Sequence, residues 1–241
     1  MTSRNNPTAR RVGITREKIV EQALSISSDK GLESWSIRDL AVGLDVVPSV
    51  IYHYYSSKEN IVDEVVDRIV AQVPLPCIEL EWKEWLQELL IEMEPVLLRY
   101  HGAAHRMMLG KMTPGIVPVV DTALLKLAQA GFGPMVPIAY SIIFNAVVST
   151  VAARQMRCAQ QVGDRHDLDA MLMRLRPMAV NSPGLKVLID HLFEPLSDQQ
   201  HAEEVSKKYY RLVVQCVLDG VEKALLPNAE KNVAVTGRAK R

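Results

Sequence analysis

The sequence predicts an all-α protein, a small N-terminal helical unit followed by a larger helical one, on three observations. Apolar residues recur at i, i+3 and i+4 through most of the 241 residues. Segments open on Ser or Thr and close on Gly or Pro, as helices do. No run alternates apolar and polar residues between hairpin turns, and no segment repeats. The composition, 48% hydrophobic and 23% charged, is that of a globular chain rather than a disordered one. The 28 basic and 28 acidic residues cancel, so overall charge does not mark a nucleic-acid binder. Their distribution says more, because the first 20 residues hold Arg4, Arg10, Arg11, Arg16 and Lys18 against Glu17 alone. Cys77, Cys158 and Cys216 are far apart and form no CxxC pair. That usage argues against a disulfide framework or zinc ribbon and predicts a reducing, cytoplasmic setting. Residues 1–13 have no apolar core, so they read as a flexible basic arm and not as a secretory signal.

Residues 14–73 divide into four helices. Thr15 caps the first, with Glu17 in its opening turn and Gly31 at its end; Ile19, Ala23 and Ile26 share one face. Ser36 caps a short second helix, with Asp39 three residues on as a capping-box partner and Ile37, Leu40, Ala41 and Leu44 turned inward. Asp45-Val46 makes a tight turn, and Pro48 opens a helix of seven or eight residues ending at Tyr55. Ser57 caps the fourth, which carries Ile61, Val65, Val66 and Ile69 toward Pro74 and Pro76.

The 74–80 segment is the predicted joint, and residues 74–227 form the second unit. Trp82, Trp85, Leu89, Met93 and Leu97 mark a helix that Pro95 should kink or break. A Gly/Pro-punctuated stretch from Gly102 to Pro118 leads to a helix over 119–130. No charge lies between Lys126 and Arg154, long enough to span a bilayer. Gly131, Gly133, Pro134 and Pro137 at its start and Tyr140, Ser141, Asn145, Ser149 and Thr150 along it argue instead for a loop and a 134–161 helix buried on most sides. Residues 163–183 show no clear period and read as partly loop. Short and long helices follow over 185–193 and 199–226, and 228–241 reads as a disordered tail.

The informative unit is Ser36–Tyr55, SIRDLAVGLDVVPSVIYHYY. Two short helices across a tight turn make a helix-turn-helix, whose second helix can enter the DNA major groove. Ile37, Leu40, Leu44, Val46 and Ile51 pack against the first helix. Pro48, Ser49, Val50, Tyr52 and His53 are left outward, a surface poor as core and suited to groove contacts, with Val50 matched to a thymine methyl. Tyr54 and Tyr55 read as core. The helix starts at Ser36 and Ser57 offer backbone N–H groups to phosphates, with Lys58 beside the second.

From Thr15 to Asp67 the chain resembles the tetracycline-repressor (TetR) family of bacterial transcription regulators. The resemblance rests on the capped first helix, Gly31, Ser36-Ile37-Arg38-Asp39-Leu40-Ala41, the Val46-Val47-Pro48 turn, Ile51-Tyr52-His53-Tyr54-Tyr55 and Ser57-Lys58-Glu59. Looser echoes are Trp82 to His105, Thr113-Pro114-Gly115, Ala130-Gly131-Phe132 and Leu218-Asp219-Gly220-Val221-Glu222. It implies a homodimer on a palindromic operator, with a helical C-terminal domain for dimerisation and effector binding. Arg38, Pro48, Ser49, Tyr52, His53 and Lys58 match positions that meet DNA in that family. The resemblance puts Tyr52 and Lys58 on phosphates, and Ser49 and Val50 on bases. Two residues depart from it. Asp45 stands where the family turns on Gly, at a position expected to need unusual φ/ψ, and Val47 replaces a Ser/Thr cap worth about 1 kcal/mol.

An effector pocket between helices should be mostly apolar with a few placed polar groups. Its candidate lining is Trp85, Met93, Leu97, His101, Met108, Met112, Phe132, Tyr140, Phe144, Asn145 and Ser149, with Asn145 or His101 orienting a polar group of a small apolar effector. His101 and His105 stand at i, i+4 but converge with no further ligands, so no metal and no other cofactor is expected. Dimerisation should use the 134–161 and 199–226 helices, two from each subunit. No nucleophile elbow, P-loop or GxGxxG supports catalysis, so no catalytic residue is assigned. Two alternatives remain beside the effector-released repressor: a DNA-binding regulator with a filled core that answers to a protein partner, and an all-α small-molecule carrier.

Overall fold

The computed structural model describes residues 13–110, 112–158, 168–198 and 201–226. The predicted tail and all of the predicted arm except Gly13 lie outside the described residues. Among those described, all regular structure is helical. Helices α1 (Arg16–Lys30), α2 (Ile37–Gly43), α3 (Pro48–Tyr54) and α4 (Lys58–Val70) form the N-terminal head, with α1 packed on α2 and α4. Ile19, Ala23, Leu40, Ile51, Ile61 and Val65 close its core at 0% exposure. The local chemistry works as the sequence predicts. Thr15, Ser36 and Ser57 each accept from a backbone N–H of the first turn, and Ser36 and Asp39 complete a reciprocal capping box. Gly31 ends α1 at φ 85° with its N–H on the Ser27 carbonyl.

Residues 71–81 connect α4 to the body: α5 (Trp82–Arg99), α6 (Ala103–Met108), α7 (Val117–Gln129), α8 (Val136–Cys158), α9 (Leu168–Ala179), α10 (Pro183–Leu188), a π turn over Ile189–Phe193, α11 (Glu194–Ser197) and α12 (Ala202–Leu225). Helices α5, α7, α8 and α12 pack together, and one apolar core runs from Ile19 to Val221 without a break at the joint. Leu172, Ala179 and Ile189 centre a second, small cluster under the α9–α11 region.

Four expectations change. Pro95 does not break α5, which continues through it to Arg99. Pro95 removes the N–H that would bond the Ile91 carbonyl, but Met93, Glu94 and Leu97 are buried around it, and that packing holds the helix through the gap. The Gly102–Pro118 stretch contains α6, started by Gly102 at φ 92°. Residues 168–179 are helical where no period was read. Leu168, Leu172, Leu175 and Ala179 form the buried stripe, while exposed Met173 and Met178 blur it in the sequence. Finally, Gly133–Met156 has the length and apolar character of a membrane span, yet only 33% of its most apolar 18-residue window is buried within the protomer. Ile138 and Ile142 remain exposed in the first half of α8, while none of residues 146–155 is exposed, so the helix is covered on most sides only in its second half.

Candidate nucleic-acid interface and ligand cavity

The reading surface is built from the turn outward. Asp45 adopts φ 54°, the positive value expected there and shared by no other non-glycine residue among those described. It carries the chain from α2 to Val47, which has no side-chain cap bond and leaves Pro48 to open α3. Behind α3, Ile51 is fully buried and Tyr55 nearly so. The Tyr55 hydroxyl donates to Glu64 Oε2 at 2.7 Å, and its burial there raises the phenol's pKa. Half-buried Tyr54 donates to the Ile14 carbonyl at 2.9 Å. Arg16 closes the back, donating to the Tyr54 carbonyl at 2.9 Å with its guanidinium carbon 5.0 Å from the Tyr55 ring centre. This packing leaves Arg38, Ser49, Tyr52 and His53 exposed, with Pro48 and Val50 half-buried between them. Tyr52 is 54% exposed, more than packing on the head would leave it. Lys58 is the exception. Its ammonium sits 4.5 Å from the Trp35 ring centre and donates to the Glu33 carbonyl at 3.1 Å; burial lowers its pKa.

The head is fastened to the body at three places that sequence reasoning missed. Arg106 of α6, 14% exposed, binds Glu33 Oε1 at 2.6 Å and Glu59 in two-pronged fashion at 2.5 and 3.1 Å. The Leu32 N–H donates to the His101 carbonyl at 2.9 Å. Thr113 hydrogen-bonds Asp67 of α4, and Gly115 approaches Asp67 so closely that a Cβ would fall 2.6 Å from its carboxyl carbon. Gln155 of α8, 4% exposed, holds the α5–α6 turn from below: its amide N–H donates to the Leu97 carbonyl at 2.6 Å and its oxygen accepts from the Gly102 N–H at 3.4 Å. Arg106 lies 73 and 47 residues from its partners, so no local spacing could have pointed to it.

Helices α4, α5, α6, α7 and α8 enclose an apolar cavity of about 50 Å³. Of the predicted lining, Met93, Leu97, Tyr140 and Phe144 are on its wall, joined by Val70, Leu86, Leu89, Met107, Val120 and Ile143. The Tyr140 phenol is the polar side chain there, and burial pushes its pKa up to about 12. The other predicted residues are elsewhere. Phe132 is fully buried, edge-on to Trp82. Trp85 is buried beside the wall, and its indole N–H has no hydrogen-bond partner among the described residues. Met108 and Met112 are exposed because α6 and the turn after it lie at the surface. His101 is exposed, with its Nε2 3.3 Å from the Gln155 carbonyl. Asn145 faces outward on α8, and Ser149 lines a separate groove. Neither His101 nor Asn145 can therefore orient a ligand in this cavity. No group of three metal-ligating side chains occurs among the described residues.

Comparison with known proteins matches this architecture. A family model described as bacterial regulatory proteins of the tetR family matches residues 19–65. An HTH-type transcriptional regulator of Saccharopolyspora erythraea is 27% identical over 177 residues, 71% of this chain and 73% of that protein. A Streptomyces coelicolor structure described as a possible TetR family transcriptional regulator superposes with a TM-score of 0.68 at 22% identity, covering 87% of this chain and 99% of that one. The S. coelicolor TetR family protein ActR, in complex with actinorhodin, also gives 0.68, at 19% identity over 87% and 96% of the two chains. With its helix-turn-helix head and all-helical body, the chain is similar to the TetR family of bacterial regulatory proteins, whose family model matches the head.

Proposed function

We propose that this regulator is a cytoplasmic homodimeric repressor that leaves a palindromic operator when a small, uncharged, apolar effector enters the α4–α8 cavity. The observation that carries the DNA half is the display of Ser49, Tyr52 and His53 on a helix whose opposite face is sealed by Ile51 and Tyr55. Ser49 and Val50 read bases, Tyr52 and Arg38 hold phosphates, and His53 and Pro48 shape the contact. Lys58 reaches a phosphate only by leaving Trp35 and Glu33, so its contribution is smaller than its position alone suggests. The basic arm adds counterion release, and its deletion flattens the salt dependence of binding.

Two features support the dimer. Ile138 and Ile142 on α8 leave an apolar stripe exposed. On α12, Tyr209, Leu212 and Cys216 with Gly220 form an outward seam at helical spacing. Two such pairs make a four-helix interface. The effector reading is supported by the apolar wall with its single phenol, and ActR bound to actinorhodin shows that a relative with this fold takes a small molecule. At about 50 Å³ the cavity is closed down. An effector must push aside flexible side chains such as Met93 and Met107, which gives it the differential affinity for a second state that release requires. Only heads set about 34–36 Å apart reach successive major grooves.

Selecting bound sequences from random duplex DNA with the purified protein tests the reading. A palindrome is expected, and Ser49→Ala should relax the preference at one position in each half-site. A selection that returns no enriched sequence, or a monomer by sedimentation, overturns it.

A further inference from the structure

A groove of about 860 Å³ lies between the C-terminal half of α8 and the first half of α12, roofed by α9, the π turn and α11, with no residue of the head in its lining. Its walls carry the apolar side chains of Leu168, Met171, Leu192, Phe193 and Leu196. Glu94 and Arg154 also line it, paired at 2.7 Å with their side chains only 9% and 15% exposed. A guanidinium has five N–H donors. Among the described residues Arg154 gives one of them, on Nη1, to Glu94 Oε1. The groove thus joins an apolar body to a confined cation with donors to spare. Asp169 shares the wall, while Lys207 and Arg211 add positive potential at Glu94.

We propose that this groove is a second ligand site, distinct from the α4–α8 cavity, that takes an amphipathic carboxylate with its apolar portion along the wall and its head group on Arg154. Guanidinium and carboxylate match in two-pronged geometry, and such charged bonds are strongest where water is thinned. A buried ion pair contributes little to stability compared with apolar packing, so stability alone does not account for one at the base of an open groove. Burial raises the Glu94 pKa against the opposing pull of Arg154, which weakens Glu94 as a competitor for the guanidinium.

The test uses the full chain and two probes of equal length, decanoate and decan-1-ol, titrated by calorimetry. Decanoate should bind more tightly than the alcohol by about tenfold, the equivalent of one charged hydrogen bond. Glu94→Gln should tighten decanoate binding severalfold by removing the internal competitor. The neutral pair Glu94→Gln/Arg154→Gln should erase the preference. Ala123 lies on the wall of the α4–α8 cavity, so Ala123→Leu, which fills that cavity, should leave decanoate binding unchanged. The proposal is overturned if the two probes bind alike, if decanoate does not bind, or if Glu94→Gln binds it no better. Loss of decanoate binding in Ala123→Leu alone would place the ligand in the other cavity. An altered dimer dissociation in the double variant, with no decanoate binding, would show that a second copy fills the groove. Should the double variant fail to fold, the single Glu94→Gln comparison still decides.

Discussion

In the head, three of four helices begin on a side-chain cap, from Thr15, Ser36 and Ser57; in the body none of α5, α6, α7, α10, α11 or α12 does. The body instead carries prolines inside α5 and α9 and a central helix, α8, that is apolar on its exposed flank as well as its covered one. The head's helices are specified by residues within a few positions of their own ends. The body's helices persist because other helices cover them. Isolated helices of this length are marginal in water, so the first strategy suits a small unit that must hold one surface rigid, and the second suits a unit whose packing must change.

The largest effect that would sharpen this contrast comes from the head core. Leu40→Ala, at a fully buried site, should cost about 3 kcal/mol and abolish operator binding, while the body keeps its helical signal. A urea titration followed by circular dichroism and by DNA binding checks it; loss of all helix in one step would show that head and body unfold together. Next is the fastening. Arg106→Ala removes one cation from two carboxylates that are themselves more than half exposed, so the stability cost is only about 1 kcal/mol. Its larger effect should be on coupling, with the variant binding DNA but releasing it poorly on effector addition. Smaller again is Val47→Ser, which supplies the missing cap of α3 and should stabilise the head by about 1 kcal/mol, read as a raised Tm.

The smallest effect has opposite signs in the two regions. Asp39, held by Ser36, has a lowered pKa, so its stabilisation is present above the ordinary carboxylate range and fades as pH falls through the folded pKa. Glu94, raised mainly by burial with Arg154 opposing, binds its proton more readily folded than unfolded. Its contribution is present below the unfolded pKa and is lost as pH rises through the folded one. Unfolding free energies of wild type minus Asp39→Asn should therefore grow from acid to neutral pH, and those of wild type minus Glu94→Gln should shrink. Parallel slopes would break the contrast.

Legibility followed the same division. Thr15, Gly31, the Ser36–Asp39 box, the Asp45 turn and Pro48 were readable because each acts within a few residues of itself. In the body, Met93, Leu97, Tyr140 and Phe144 lie on the cavity wall, whereas Asn145, on the same helix as Tyr140 and Phe144, faces outward. On a helix apolar nearly all round, periodicity does not say which flank meets the core. Helix α9 is hard to read for the related reason that exposed Met173 and Met178 interrupt the contrast between its buried stripe and its outer face.

The sequence by itself determined the all-helical fold class, the helix-turn-helix head and the exposure of Ser49, Tyr52 and His53 on α3, because caps, turns and amphipathic spacing are short-range physics. Only the tertiary structure decided that Arg106 locks α6 to the head, that Gln155 holds the α5–α6 turn, that Lys58 is turned onto Trp35, and that Glu94 and Arg154 share the base of a groove. These pairs join residues 23 to 73 positions apart. Nothing near either member signals the other, and chain folding alone brings them into reach.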